Sequence, residues 1–181
     1  MQIIKKIFKL FFGQKLFFFI KDIYRKESFV NLKELRSWSD NGSYVQSVEE
    51  AINDFKKFKK FKSDKRYQFV LEHATFEQGL QNIEIIKKNN IELLDNNNFS
   101  KFKLNDLIGS PKIYNYGSVY GSLSPTTIAY IKVLSDLISL FKIHEINTIA
   151  EIGAGYGGQA LIIDQFTKKI EFTLFDLKPV L

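Results

Sequence analysis

Two acidic residues and a run of glycines near the C-terminal end of this chain have the types and spacing of a ligand-binding turn. Gly153, Gly155 and Gly157 lie between an apolar, β-branched segment and a segment with helical periodicity. Glycines at a strand-to-helix turn let backbone N–H groups approach a ligand, because no side chain blocks them. Asp176 follows Gly158 by 18 residues, at the end of the next predicted strand. An acid at that place can accept hydrogen bonds from ribose hydroxyls.

The same residues satisfy two different binding motifs. Gly153, Gly155 and Gly158 fit G-x-G-x-x-G, the dinucleotide fingerprint. Glu151, with its three alternating glycines ending at Gly157, fits E-x-G-x-G-x-G, the first motif of class I methyltransferases. Glu151 favours the second motif, because dinucleotide folds normally keep a buried apolar residue there; a long helical region before the first strand favours it too. A glycine-rich turn that binds no ligand is the third interpretation.

Well-marked elements surround this turn. Ser124 and Pro125 are a typical N-cap and first helical residue, and the apolar stripe that follows predicts a helix reaching Phe141. The predicted order after it is strand, glycine turn, helix and strand, over Asn147–Ile152, Gly153–Gly158, Gln159–Lys169 and Ile170–Phe175. This order places both acids at neighbouring strand ends.

The N-terminal half is predicted to be mostly helical. Apolar residues recur at three- and four-residue spacing over Phe29–Trp38, Val45–Phe61 and Arg66–Asn89. Turn-forming residues dominate Asn89–Tyr120, which is predicted to be irregular. The predicted organisation is a helical region at 1–100, a loop-rich connection at 101–123 and an α/β domain at 124–181.

Composition limits the chemistry that is available. Of the 181 residues, 45% are apolar and 25% are charged, which is ordinary for a globular protein. The absence of cysteine excludes disulfides, thiolate nucleophiles and cysteine-bound metals. His73 and His144 have no partner at ligand spacing, so no metal site is predicted.

Positive charge is concentrated in the first third of the chain. Residues 1–66 hold 16 lysines and arginines against 8 acids, while residues 67–181 hold 10 against 12. Such an excess attracts phosphates, anionic lipid or nucleic acid, and it is also typical of a solvated helix face. The lysine–phenylalanine run Phe55–Lys62 fits an amphipathic helix better than a nucleic-acid module. Met1–Ile20 is too interrupted by lysines to span a membrane, but its pattern fits a helix at a membrane surface or one packed on its own core.

Three stretches of the C-terminal region resemble a bacterial family of sugar O-methyltransferases, which are associated with surface-polysaccharide biosynthesis. They are Leu123–Leu137, Glu151–Gln159 and Phe175–Leu177, within a similar region of roughly residues 105–181. The resemblance implies S-adenosylmethionine as the cofactor and a glycan or other small molecule as the methyl acceptor. It implies that Glu151 faces the methionine moiety and Asp176 holds the ribose. The residues implied to line the cofactor are Gly153, Ala154, Gly155 and Gly157. One departure is that Pro179 lies one position later than the family's proline.

The predicted fold class is therefore α/β: a helical N-terminal region followed by the first β–α–β unit of a Rossmann-like class I methyltransferase domain. Such a domain needs about five more strands, so the chain is expected to be an N-terminal fragment. We expect it to bind S-adenosylmethionine weakly or not at all and to lack transferase activity alone. No catalytic residue is predicted.

The alternatives to a methyltransferase fragment are an NAD-binding Rossmann fragment and a non-catalytic protein. The non-catalytic protein would be a basic helical module that docks on a membrane or on a partner enzyme. Whichever of these interpretations holds, the predicted partners of the chain exclude nucleic acid and include a membrane surface touched by residues 1–20. The predicted location is the cytoplasm, including the inner face of the membrane.

Overall fold

Short helices and two small sheets make up the part of the protein that a computed structural model describes, residues 42–167, 170–178 and 180. The described helices are α1 (Gly42–Asn53), α2 (Phe55–Phe58), α3 (Lys65–Val70), α4 (Phe76–Asn89), α5 (Asn96–Phe102), α6 (Pro125–Leu140) and α7 (Gly158–Thr167). The strands are β1 (Tyr114–Asn115), β2 (Ser122–Leu123), β3 (Thr148–Ile152) and β4 (Glu171–Phe175). The predictions for Met1–Ile20 and Phe29–Trp38 concern residues outside this part.

The predicted helix Val45–Phe61 is wrong as a single element. Asp54 divides it, with extended backbone angles and a carboxylate that accepts the N–H of Lys56 at 2.8 Å. An aspartate in that conformation starts a new helix, because its side chain satisfies a backbone donor that the first turn leaves unpaired. The chain then continues through α2 and a 3₁₀ turn at Phe61–Ser63.

The predicted helix Arg66–Asn89 is also divided. Thr75 and Gln78 form a capping box: the Gln78 N–H donates to the Thr75 hydroxyl at 3.2 Å, and the Thr75 N–H donates to the Gln78 side chain at 2.9 Å. This reciprocal pairing fixes the start of α4. The bend between α3 and α4 brings Leu71 and Glu72 towards the glycine turn.

The stretch Asn89–Tyr120 contains more regular structure than predicted. Asp95 caps α5 by accepting the N–H of Asn98 at 2.7 Å. The helix is fixed in place because Phe99 and Phe102 are buried in the main core. Two 3₁₀ turns flank α5, and β1 pairs with β2 as a two-residue antiparallel hairpin.

The predicted α6 is confirmed. Ser124 caps it by accepting the N–H of Thr127 at 3.1 Å, and Pro125 is its first residue. Ile128, Ile131 and Leu134 are fully buried along one stripe of the helix. At its end Phe141, expected in that stripe, is instead exposed, because the helix stops at Leu140 and the backbone becomes extended.

The predicted strand–turn–helix–strand order is confirmed as a parallel β–α–β unit. β3 and β4 pair in parallel with Ile152 opposite Phe175, and α7 connects them. One side of the pair, including Ile149 and Phe172, packs against the helical core. On the other side 88% of Ile152 and 52% of Phe175 are exposed. Parallel sheets are normally covered on both faces, and here two strands with one helix leave this face open among the described residues.

Two apolar clusters hold the described elements together. The larger one joins α4, α5, α6 and α7 through residues such as Ile86, Phe102, Ile131 and Ile162. The smaller one is built on Tyr44, Val48, Ala51, Phe61 and Tyr67, with Tyr156 and Leu177 packed against it. The smaller cluster therefore packs the helical layer directly against the glycine turn. This layer consists of α1, the 3₁₀ turn at Phe61–Ser63, and α3 with the residues that follow it. None of the described helices has the length and apolar character needed to cross a membrane.

Candidate ligand site at the glycine turn

Three alternating glycines determine the path of the chain between β3 and α7. Gly153, Gly155 and Gly157 have φ angles of 75°, 57° and 80°, in the left-handed region that other L-residues avoid. The N–H groups of Gly153 and Ala154 both donate to the carbonyl of Phe175, at 2.8 and 3.3 Å. This pairing extends the sheet by one step, so the turn is fixed to the end of β4.

The glycines differ in what surrounds them. A Cβ on Gly153 would have no atom within 4 Å, so its α-carbon borders open space that a ligand could enter. A Cβ on Gly155 would lie 3.0 Å from Leu71 Cδ1, and one on Gly157 would lie 3.6 Å from Leu174 Cδ1. Only the first of the three therefore faces open space; the other two are packed against the protein.

Gly158 begins α7 and is packed between two tyrosines. A Cβ there would lie 2.5 Å from the Tyr156 hydroxyl and 2.7 Å from the Tyr130 ring. Tertiary packing on α6 therefore requires a small residue at position 158. From spacing alone, Gly158 was instead part of a dinucleotide motif. The G-x-G-x-x-G match consequently has a structural explanation.

Asp176 links the two strand ends. Its carboxylate accepts the N–H of Gly155 at 2.6 Å through one oxygen and the N–H of Leu177 at 2.6 Å through the other. Each carboxylate oxygen can accept a further hydrogen bond, so the side chain can still receive hydroxyl donors from a ligand. Asp176 lies at the position that the sequence predicted, and it also stabilises the turn.

Glu151 lies beside the start of α7. It is half-buried, and burial raises the pKa of its carboxyl group, to which the nearby charge of Asp176 adds. The backbone N–H of Ala160, in the first turn of α7, partly offsets this rise in pKa. The two predicted acids are therefore close enough to repel each other, an arrangement that a cationic group would stabilise.

A buried polar cluster, which the sequence did not predict, lies behind the turn. Lys62 is fully buried, and its ammonium donates to the Asn105 carbonyl at 2.7 Å and lies 4.0 Å from the centre of the Tyr156 ring. The Tyr156 hydroxyl donates to the Asn105 side chain at 3.0 Å. These contacts connect the glycine turn to the segments around Lys62 and Asn105, which are far away in the sequence. Burial lowers the pKa of Lys62 to about 8.

Asn105 is itself held by the start of α6. Its side-chain amide donates to the Thr127 hydroxyl at 2.7 Å, and that hydroxyl donates to Asp106 at 2.6 Å. Asp106 also accepts the backbone N–H and the hydroxyl of Ser124, both at 2.7 Å. The only sequence signal for this network was the cap at Ser124.

Glu72 is the second costly buried group near the turn. One of its carboxylate oxygens is buried and has no hydrogen-bond partner in the described structure, and burial raises the pKa of the group. The preceding residue, Leu71, contacts Gly155. Glu72 lines a pocket of about 390 Å³ at the start of α6, together with Gln68, Thr75, Glu77, Lys112, Tyr114 and Thr126. Perturbed carboxyl groups that line a pocket mark candidate functional sites.

Comparison of the sequence with models of protein families, with curated proteins and with solved structures finds no match in any of the three. Among the residues that the structure describes, no three histidine, aspartate or glutamate side chains are grouped as metal ligands. The chemistry of this site is therefore inferred from its own geometry.

Proposed function

We propose that the glycine turn binds S-adenosylmethionine and that the chain is part of a class I, Rossmann-like methyltransferase. The observation that carries this proposal is the pair of carboxylates, Glu151 and Asp176, at the ends of two adjacent parallel strands. They flank Gly153, whose α-carbon borders open space, unlike those of the other two alternating glycines of the turn. The open crevice at the carboxyl ends of parallel strands is where such folds bind ligands.

The charge of the site favours a cationic ligand over a dinucleotide. A pyrophosphate carries negative charge and needs free N–H groups at the turn and at the start of the helix. Here Asp176 already occupies the N–H of Gly155, and Glu151 interacts with the N–H of Ala160. Both carboxylates would also repel a phosphate. S-adenosylmethionine carries a sulfonium and an ammonium group, which both carboxylates would attract.

Each acid has a defined role in this proposal. Glu151 would bind the ammonium of the methionine moiety, directly or through water, and so reduce the repulsion between the two carboxylates. Asp176 would accept ribose hydroxyls with its remaining lone pairs while keeping its bond to the Gly155 N–H. Gly153 would let the ligand approach the backbone closely. When bound, the cofactor supplies an activated methyl group.

The acceptor in this proposal is a hydroxyl group of a glycan, as the family resemblance implies. The pocket beside Glu72 supports a polar acceptor, because amide, hydroxyl, carboxyl and ammonium groups all line it. Its volume of about 390 Å³ lies within the range of small-molecule sites. A role in surface-polysaccharide biosynthesis follows from the same resemblance.

Ligand titration followed by NMR tests the proposal, because chemical shifts detect even weak binding. We expect saturable shifts of the glycine-turn amides with S-adenosylmethionine and none with NAD. Asp176→Asn should weaken the binding at least tenfold, since bonds to a charged acceptor contribute about 1.5–3 kcal/mol. Asp164→Asn, at an exposed position on α7, is the matched control and should bind like the wild type.

Two results would overturn this proposal. One is preferential binding of NAD at the same amides. The other is the absence of saturable shifts with S-adenosylmethionine in a protein whose spectrum shows the folded state, because the proposal requires weak binding, which is one of the two outcomes, weak binding or none, expected from the sequence.

A further inference from the structure

We propose that the end of α1 and the whole of α2 form a docking surface for an anionic membrane. This phenylalanine–lysine surface consists of Ile52, Phe55, Phe58, Lys56, Lys59 and Lys60. It lies entirely within the described residues and does not include residues 1–20. The proposal does not depend on the ligand site, so either can fail without the other.

The apolar half of the surface consists of three exposed side chains close together in the chain. Ile52, Phe55 and Phe58 have exposed fractions of 63%, 68% and 47%. Ile52 and Phe58 line the same groove, and Phe55 lies one helical turn before Phe58 on the same side of α2. Exposing a phenylalanine forgoes about 1.5–3 kcal/mol of burial free energy, so two adjacent ones indicate a partner surface.

The charged half is a group of lysines around these side chains, with one exposed carboxylate, Asp54, among them as the cap of α2. Glu50 pairs with Lys57 at 3.0 Å and with Arg66 at 2.8 Å, so its charge is already used. Lys56, Lys59 and Lys60 make no ion pair with any described residue. Three ammonium groups without an ion-pair partner, beside exposed phenylalanines, match the anionic headgroups and acyl boundary of a cytoplasmic leaflet.

The geometry of the rings favours a membrane over nucleic acid. Base stacking needs an open aromatic face. The Lys59 ammonium lies 4.5 Å from the centre of the Phe55 ring and covers one of its faces. Phe58 packs against Phe61 with ring centres 5.9 Å apart, and Ile52 has no aromatic face at all. The buried Phe61 anchors α2 to the fold, so the surface is presented by a rigid element.

Co-sedimentation of the full chain with vesicles tests this surface. We expect binding to vesicles of equal parts phosphatidylcholine and phosphatidylglycerol, and little binding to pure phosphatidylcholine. The triple change Lys56→Gln, Lys59→Gln and Lys60→Gln should weaken the binding about a hundredfold, since each surface lysine contributes about 1 kcal/mol. The double change Phe55→Ser and Phe58→Ser should also weaken it about a hundredfold, because each variant side chain loses the burial free energy of an exposed ring.

Matched controls distinguish binding by this surface from a general effect of net charge or of exposed apolar residues. Lys87→Gln, Lys88→Gln and Lys142→Gln together remove the same charge from exposed positions on other elements. Leu107→Ser removes an apolar side chain that is 78% exposed. Both control proteins should bind vesicles like the wild type, and circular dichroism should show all variants folded.

Three results would overturn the proposal. The first is wild-type affinity of both surface variants, with binding lost only on deletion of residues 1–20. The second is equal binding to anionic and neutral vesicles. The third is tight binding of a mixed-sequence, single-stranded oligonucleotide that disappears with the phenylalanine changes, which would assign the surface to nucleic acid.

Discussion

The glycine turn and the helical layer packed behind it are stabilised in opposite ways. The turn uses backbone conformations that glycine adopts freely, and its N–H groups pair with Phe175 and Asp176. The helical layer buries two ionisable groups, Lys62 and Glu72, against the natural preference of both for water. Burying ionisable groups lowers stability, so their presence beside the turn supports the proposed ligand site. Substitutions in the turn and in the helical layer test this difference.

The largest expected effect comes from the packing of the turn on the helical layer. Gly155→Ala adds a Cβ that lies 3.0 Å from Leu71 and strains a φ of 57°. We expect a loss of about 2–3 kcal/mol in unfolding free energy, measured by chemical denaturation. Gly153→Ala has a similarly positive φ but open space, so it should lose only about 1 kcal/mol. Equal losses for both variants would contradict the proposed difference in packing.

Lys62 gives the next largest effect, and it depends on pH. Burial lowers the pKa of Lys62 from 10.5 to about 8. Between these values the unfolded chain binds a proton that the folded protein does not, so the free energy of unfolding rises with pH. Above about pH 10 the unfolded tyrosines ionise while Tyr44, Tyr67 and Tyr156 keep raised pKa values, so stability falls again.

The expected gain between pH 8 and pH 10 is about 2–3 kcal/mol, at about 1.4 kcal/mol for each pH unit. Urea denaturation across this range measures it. Lys62→Met should abolish the rise while leaving the fall above pH 10. A rise that persists in Lys62→Met would show that another group causes it. Lys65→Met, at an exposed position in α3, is the matched control.

Glu151 gives the smallest effect on stability, with the opposite sign. Burial and the neighbouring Asp176 raise the pKa of Glu151 above its ordinary value of 4.5. Its carboxyl group therefore contributes stability at low pH, and this contribution is lost as pH rises through the folded-state pKa. Glu151→Gln should be slightly more stable than the wild type at neutral pH and indistinguishable below pH 4.5.

Thermal unfolding of Glu151→Gln and of the wild type, at neutral pH and below pH 4.5, measures this difference in stability. Glu92→Gln is a suitable control, because Glu92 is exposed and lies 59 residues before Glu151. A variant less stable than the wild type at neutral pH would indicate that Glu151 is structural and would weaken the case for a ligand site.

Local signals predicted part of the fold well. The cap at Ser124, the β–α–β unit and the position of Asp176 all followed from residues within a few positions of each element. The helix breaks at Asp54 and Thr75 were missed, because both residues lie within patterns that keep an apolar spacing of three and four. A side chain that accepts a backbone N–H can end one helix and begin the next without changing the spacing of apolar residues. Helix α5 was missed for a different reason, because its asparagines resemble a loop and only the burial of its two phenylalanines fixes it.

The sequence by itself determined the glycine turn and the acid at each strand end. Positive φ angles, strand alternation and the length of one crossover helix are properties of neighbouring residues, so spacing alone places Glu151 and Asp176 together. Tertiary structure alone decided what lies behind the turn. Lys62 meets Asn105 and Tyr156 across 43 and 94 residues, and nothing in its lysine-rich surroundings distinguishes it from its solvated neighbours. Burial is a property of the packed fold, and it changes an ordinary lysine into one with a lowered pKa.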